Sequence, residues 1–334
     1  MAIDWAPFRK IIDDHETFVI SSHVRPDADA LGSELALANM LESEGKTVRI
    51  VNASASPGNL DFLDPEQRVK RLGDTISVAD VLNNDVHIVV DTSAWTQLAG
   101  IGDLLKKTKA TKVVIDHHVS SDDLGAIEFK DTTAEATGTL LHQLAMSLNL
   151  PITKSSAEAL YAAIATDTGW FRFPSIKAET MRIIADLMDR GVEPFRLYQL
   201  LYERRSVHRL HLTGRVMGKV RVKCDGKLAF TTVEEKDFEA TGSTPLDTEG
   251  MVNQCLTIHG VQAAFIAVAQ QNKRIKLSFR SRPGVDVASI AEQFGGGGHK
   301  QASGATMEGP IRVAVGKVLA AFETALGADS EGEE

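Results

Sequence analysis

Four short runs rich in β-branched residues dominate the first third of the chain: residues 18–22 (FVISS), 47–51 (TVRIV), 87–91 (HIVVD) and 112–116 (KVVID). Most are nearly continuous in apolar character, the pattern of strands buried on both faces of a parallel sheet. Helical patterns separate several of them, over residues 30–45 and 95–109. This alternation predicts an α/β fold whose N-terminal part is a doubly wound, mainly parallel sheet with helices on both faces. Further helical patterns follow at 137–150, stopped by Pro151, at 155–167, with Ser155 or Ser156 as N-cap and Glu158 close behind, and at 178–191.

From about residue 216 the texture changes. Strand-like runs at 218–224, 227–234, 262–270 and 273–282 come first, with helical patterns at 285–294 and 313–326. The expected organisation is a first domain over 1–190, a helical connector over 191–215 and a smaller mixed α/β domain over 216–330, followed by a frayed acidic tail. A length of 334 residues suits two domains.

Composition narrows the function classes. The net charge is −9, which argues against gripping long duplex DNA, since that affinity comes largely from neutralised phosphates. No apolar run is long enough to span a bilayer, so no membrane partner is expected. The first residues, MAIDWAPFRK, lack the basic and apolar regions of a leader. Cys224 and Cys255 have no metal spacing and read as buried thiols of a reducing compartment, so a cytoplasmic location is expected.

Ligands of open α/β sheets bind at the carboxyl ends of strands. The first run leads into His23, Asp27 and Asp29, the third ends at Asp91, and the fourth ends at Asp116, His117 and His118. Asp167 closes an apolar helix just before Gly169. Carboxylates gathered this way repel one another unless divalent cations neutralise them. Asp27 and Asp29, two apart, can serve two ions, with Asp91 bridging, His23 completing one site and His117 the other. Mixed oxygen and imidazole ligation favours manganese, with magnesium, cobalt or zinc as alternatives. Two such ions are a standard device for attacking phosphorus with water. A lone strand-end aspartate is usually a turn residue; it is the convergence of all these groups that points to chemistry.

The segments HVRPDADALGS, VVDTSA, VVIDHHVS and ATDTGWFRF resemble the four successive motifs of the DHH phosphoesterase superfamily, and FGGGGHKQASGA (294–305) resembles the signature of the DHH-associated C-terminal domain. The likeness spans nearly the whole chain and is nearest to the bacterial nanoRNases that also act on adenosine 3′,5′-bisphosphate (pAp). It implies one metal held by His23, Asp27 and Asp91 and a second held by Asp29, Asp91, His117 and Asp167. His118 would approach the scissile phosphate, and Asp116 would orient a histidine or the strand end.

In the second domain, alternation puts Lys276, Ser278, Arg280 and Arg282 on one face of a strand. Gly296, Gly297 and Gly298 let the backbone approach a phosphate, and with His299 they read as a phosphate or ribose clamp. Arg280 and His299 are the leading contacts and Ser303 a lesser one. From residue 216 onward there are 13 Lys and Arg against 15 Asp and Glu, a local cluster rather than a track for a long strand. Trp170, Phe171 and Phe173 read mainly as core, with base stacking as the alternative.

The expected function is a metal-dependent hydrolase of very short RNA oligonucleotides, dinucleotides or pAp. The resemblance also suggests a homodimer. The competing enzyme reading is a cyclic dinucleotide phosphodiesterase; the non-enzyme reading is a sensor that binds small nucleotides without cleaving them.

Overall fold

The computed structural model describes residues 3–270 and 273–327. The chain divides into two compact units, Met1–Arg204 and Arg205–Glu334. The acidic tail lies outside the described residues.

The first unit runs α1 (Ala6–Asp14), β1 (Thr17–Ser21), α2 (Ala28–Ser43), β2 (Thr47–Asn52), β3 (Val69–Arg71), α3 (Val78–Leu82), β4 (Val86–Val90), α4 (Gly100–Lys107), β5 (Thr111–Asp116), β6 (Ile127–Lys130), α5 (Thr137–Leu148), α6 (Lys154–Asp167), α7 (Ala178–Asp189) and α8 (Pro194–Tyr202). Its sheet has the order β3-β2-β1-β4-β5-β6, and every pairing is parallel. The four expected strands sit at its centre; β4 is buried throughout and β1 and β5 nearly so, whereas β2 is buried only over its last three residues. The short edge strands β3 and β6 were not anticipated, because their residues are mostly exposed and lack an apolar run.

Helix α2 is buried nearly all round, with Asp29, Ser33 and Glu34 buried among its apolar residues. It meets α6 at very short range: a Cβ on Gly32 would lie 2.4 Å from the Ala159 carbonyl oxygen. A Cβ on Gly138 of α5 would lie 2.7 Å from Ala163 of α6. Small residues thus let α2, α5 and α6 interlock, which fixes three helix ends relative to one another. The N-cap of α6 is Thr153, whose hydroxyl accepts from the Ser156 amide, not Ser155 or Ser156 as expected. Helix α5 stops at Leu148, with Asn149 in the left-handed region, before Pro151 is reached. Trp170 and Phe171 are packed rings, Trp170 against Tyr161, Tyr198 and Tyr202, whereas Phe173 is 49% exposed.

The second unit runs α9 (Val207–Met217), β7 (Arg221–Lys223), β8 (Leu228–Val233), α10 (Glu235–Thr241), α11 (Val252–Cys255), β9 (Ala263–Ala269), β10 (Arg274–Ser281), α12 (Val287–Glu292), β11 (Gly297–His299), β12 (Ala302–Glu308) and α13 (Ile311–Gly327). Its mixed sheet has the order β11-β12-β10-β9-β8-β7, parallel only between β8 and β9. Alternation along β10 buries Ile275, Leu277 and Phe279, as the sequence predicts. The expected connector is two helices, α8 in the first unit and α9 in the second. Both cysteines are free thiols; Cys255 is buried, but Cys224 is only half-buried. Among the described residues no helix is long and apolar enough to cross a membrane.

Candidate metal centre

Strands β1 and β4 are neighbours where the order of the first sheet reverses, the place where open α/β sheets bind ligands. Beyond β1 the chain passes through His23 to Asp27, which caps α2: its Oδ1 accepts from the amides of Asp29 at 3.0 Å and Ala30 at 3.1 Å. Asp29, in the first turn of α2, faces the start of α5. Its Oδ2 accepts from the Thr137 amide at 2.8 Å and its Oδ1 from the Gly138 amide at 2.9 Å. Beyond β4, Asp91 lies in the left-handed region with φ 63°, a conformation Asp tolerates better than most residues. The Thr137 hydroxyl donates to Asp91 Oδ1 at 2.8 Å. His117 and His118 follow β5, and Asp167 is the last residue of α6.

These side chains gather around Asp91. His23 Nε2 is 3.4 Å from Asp91 Oδ2 and 4.0 Å from Asp27 Oδ1. His117 Nε2 is 3.6 Å from Asp91 Oδ1, 3.8 Å from Asp29 Oδ2 and 3.4 Å from Asp167 Oδ2. Ligand atoms of His23, Asp27 and Asp91 all lie within 4.8 Å of one another, as do those of Asp29, His117 and Asp167. The structure therefore brings together all six residues expected to hold metal.

The donor set fits a pair of cations. His23 Nδ1 donates to the Val24 carbonyl at 3.0 Å and His117 Nδ1 to the Ala134 carbonyl at 3.2 Å. In the neutral rings that leaves each Nε2 as a lone pair aimed at carboxylate oxygens. His117 Nε2 is buried without a hydrogen-bond partner, a costly state for a polar atom. Burial, and next the nearby Asp29 and Asp27, push the Asp91 carboxyl well above the usual carboxylate range. Burial also raises Asp29, and it raises Asp167 to about 8, with Asp29 and Asp27 adding to the effect. Cations seated among these groups would neutralise the carboxylates and give both Nε2 lone pairs a partner.

His118 is held differently. Its Nδ1 is 2.9 Å from Asp116 Oδ1, which also accepts from the His118 amide at 3.0 Å. The other oxygen, Oδ2, accepts from the Ser93 hydroxyl at 2.7 Å and pairs with Lys130 Nζ at 3.1 Å. Burial opposes ionisation of Asp116, but hydrogen bonds from His118 and Ser93 outweigh it and hold the carboxyl well below its ordinary range. The Asp116 hydrogen bond in turn raises His118. Thr137, Gly138, Ser93 and Lys130 are functional supports that sequence reasoning missed. Single polar residues of this kind carry no pattern, and only the fold brings them to the site.

In the second unit Arg280 is half-buried, and its Nη1 donates to the Phe279 carbonyl at 2.9 Å. Arg282 instead donates to the carbonyls of Val261 at 3.0 Å and Leu256 at 2.8 Å. The buried Ser303 hydroxyl donates to the Val287 carbonyl at 2.5 Å. The glycine segment is in part a strand, β11 paired to β12. There a Cβ on Gly296 would lie 2.1 Å from the Gly304 carbonyl oxygen, and one on Gly298, at φ 141°, 2.6 Å from the Ala302 carbonyl oxygen. Close approach to β12 therefore requires these two glycines, while Gly297 faces open space. The side chain of His299 lies outside the described residues.

Residues 17–164 match the N-terminal domain of the DHH family and residues 225–327 match the DHHA1 domain. The chain is 26% identical over 301 residues to the Bacillus subtilis protein named bifunctional oligoribonuclease and PAP phosphatase NrnA, covering 89% of this chain and 91% of that one. It is 28% identical to the Thermus thermophilus protein of the same name, covering 87% and 84%. The solved structure of an exopolyphosphatase-related protein from Bacteroides fragilis superposes with a TM-score of 0.90 at 28% identity, covering 98% of this chain and 97% of that one.

Proposed function

The chain belongs to the DHH family of phosphoesterases and carries a DHHA1 domain, and from this premise we propose that it hydrolyses very short RNA oligonucleotides to mononucleotides and removes the 3′-phosphate of pAp. The names of the Bacillus subtilis and Thermus thermophilus relatives support the substrate class. The observation that carries the reading is Asp91, whose two oxygens face the Nε2 atoms of His23 and His117 separately.

In this reading His23, Asp27 and Asp91 hold one divalent ion, and Asp29, Asp91, His117 and Asp167 hold the other, with manganese the favoured metal. When bound, such ions supply Lewis acidity toward phosphoryl oxygens and lower the pKa of water. The chain's own residues do the rest. The amides of Thr137 and Gly138 keep Asp29 turned inward. Asp116 accepts the Nδ1 proton of His118, which leaves Nε2 to hold a proton and give it to the leaving oxygen. In the DHHA1 domain, Arg280 and the backbone at Gly297 are offered to a substrate phosphate, with His299 beside them in sequence. Arg282 and Ser303, whose donors already serve backbone carbonyls, act by shaping that surface.

The test is hydrolysis with added manganese across pAp, linear dinucleotides, cyclic dinucleotides and longer single strands. Release of mononucleotides from linear dinucleotides and of AMP from pAp is expected. Preference for cyclic dinucleotides would replace this reading with the phosphodiesterase one. Binding of dinucleotides without release of monomers would favour the sensor.

A further inference from the structure

Beneath the metal centre lies a buried polar chain that does not itself reach the ion pocket. The backbone pairing of β1 with β2 runs from Thr17–Thr47 to Ile20–Ile50, so the Ser22 amide lies beyond the ladder. The Asn52 side chain takes it over: Oδ1 accepts from the Ser22 amide at 3.0 Å and lies 3.4 Å from the Ser22 hydroxyl. Asn52 Nδ2 donates to Glu34 Oε2 of α2 at 2.9 Å. Ser22, Asn52 and Glu34 are all fully buried, and Glu34 Oε1 has no hydrogen-bond partner.

An acid with one bare oxygen and no cation beside it is an expensive core residue. An apolar side chain would pack α2 on the sheet without that cost. What Glu34 uniquely does is fix the Asn52 amide: with Nδ2 committed to Glu34, Oδ1 must face Ser22. Ser22 immediately precedes His23, so this chain sets the backbone from which the His23 ring projects.

We propose that Glu34, acting through Asn52 and Ser22, is a positioning residue for His23 and tunes how tightly the pocket holds its metal; this rests on the two-ion reading above. Burial raises the Glu34 carboxyl to about 8, consistent with a neutral acid that works as a hydrogen-bond acceptor. Glutamine should then replace it, and alanine should not.

The experiment measures three quantities on the full chain: manganese affinity by calorimetry, amide exchange at Ser22, and kcat and KM on a linear dinucleotide. Glu34→Ala and Asn52→Ala should each weaken manganese binding by about 10–100-fold, the range for residues that orient ligands. Both should speed Ser22 exchange and lower kcat more than they raise KM, and Glu34→Gln should restore wild-type behaviour in all three. Wild-type manganese affinity and Ser22 exchange in Glu34→Ala would overturn the proposal, as would a Glu34→Gln protein as impaired as Glu34→Ala. If Glu34→Ala does not fold, Glu34→Gln compared with Asn52→Ser decides the matter by the same measures. A wild-type chain that bound no manganese would refute the two-ion reading, whereas unchanged Ser22 exchange across the variants would refute the positioning role alone.

Discussion

His117 Nε2 lies 3.4 Å from Asp167 Oδ2, and the other ring nitrogen is engaged by the Ala134 carbonyl. His117 Nε2 is buried without a hydrogen-bond partner, and burial together with Asp29 and Asp27 penalises a charged Asp167. A cation would relieve both costs, so in the two-ion reading the metal should contribute to folding as well as to catalysis. Adding manganese to chelator-treated protein should raise Tm by several degrees, and calcium, which binds imidazole poorly, should raise it less. A differential scanning calorimetry series checks this.

In the two-ion reading Asp91 is the ligand that both ions share. Asp91→Asn removes one buried acid from among its neighbours and, in that reading, the shared ligand as well. The metal-free variant should be at least as stable as the metal-free wild type, because burial and the adjacent aspartates already disfavour the charged form. Its manganese-induced gain in Tm should disappear, and kcat should fall by at least about 100-fold, the upper range for residues that only orient ligands. Paired thermal melts and turnover measurements test both halves.

Asp116→Asn tests the proposed acid. The variant keeps the shape but loses the charge that Ser93, Lys130 and His118 all address. His118 would lose the partner that favours its protonated form. The expected result is a fall in kcat of about 10–100-fold with KM little changed. A change confined to KM would place Asp116 and His118 in substrate binding instead.

The central strands of the first sheet were legible as continuous apolar runs, and three of the four lead into residues with chemistry of their own. Asp91, Asp116 and His117 announced themselves in this way. The edge strands β3 and β6 were not, since three and four mostly exposed residues carry little pattern. Within the site, residue types revealed the prospective ligands but not their supports. Asp29 is oriented by Thr137, 108 residues away in sequence, and Asp116 by Lys130 across the strand pair β5–β6. Gly296, Gly297 and Gly298 were read as phosphate contacts, yet Gly296 and Gly298 are required by their closeness to β12; a sequence does not distinguish these two demands on glycine.

His87 makes the fold acid-sensitive. It is buried in β4 with Nε2 2.9 Å from the Ser21 hydroxyl and Nδ1 unpartnered. Burial, aided by Lys112, depresses it from 6.5 to about 3. The unfolded chain therefore takes up a proton below pH 6.5 that the folded chain refuses until about pH 3. This contribution to stability is fully present above pH 6.5 and is lost as pH falls toward 3, at about 1.4 kcal/mol per unit. His87→Gln should remove that slope, so urea melts between pH 6.5 and 4.5 should show the wild type losing stability faster than the variant.

Whether two divalent ions share Asp91 can be read from anomalous diffraction at the manganese edge, using crystals grown with the metal. Two peaks are expected on either side of the Asp91 carboxylate, one contacted by His23 and Asp27 and the other by Asp29, His117 and Asp167. Absence of any peak in this pocket, or a single ion that Asp91 does not touch, would contradict the two-ion reading.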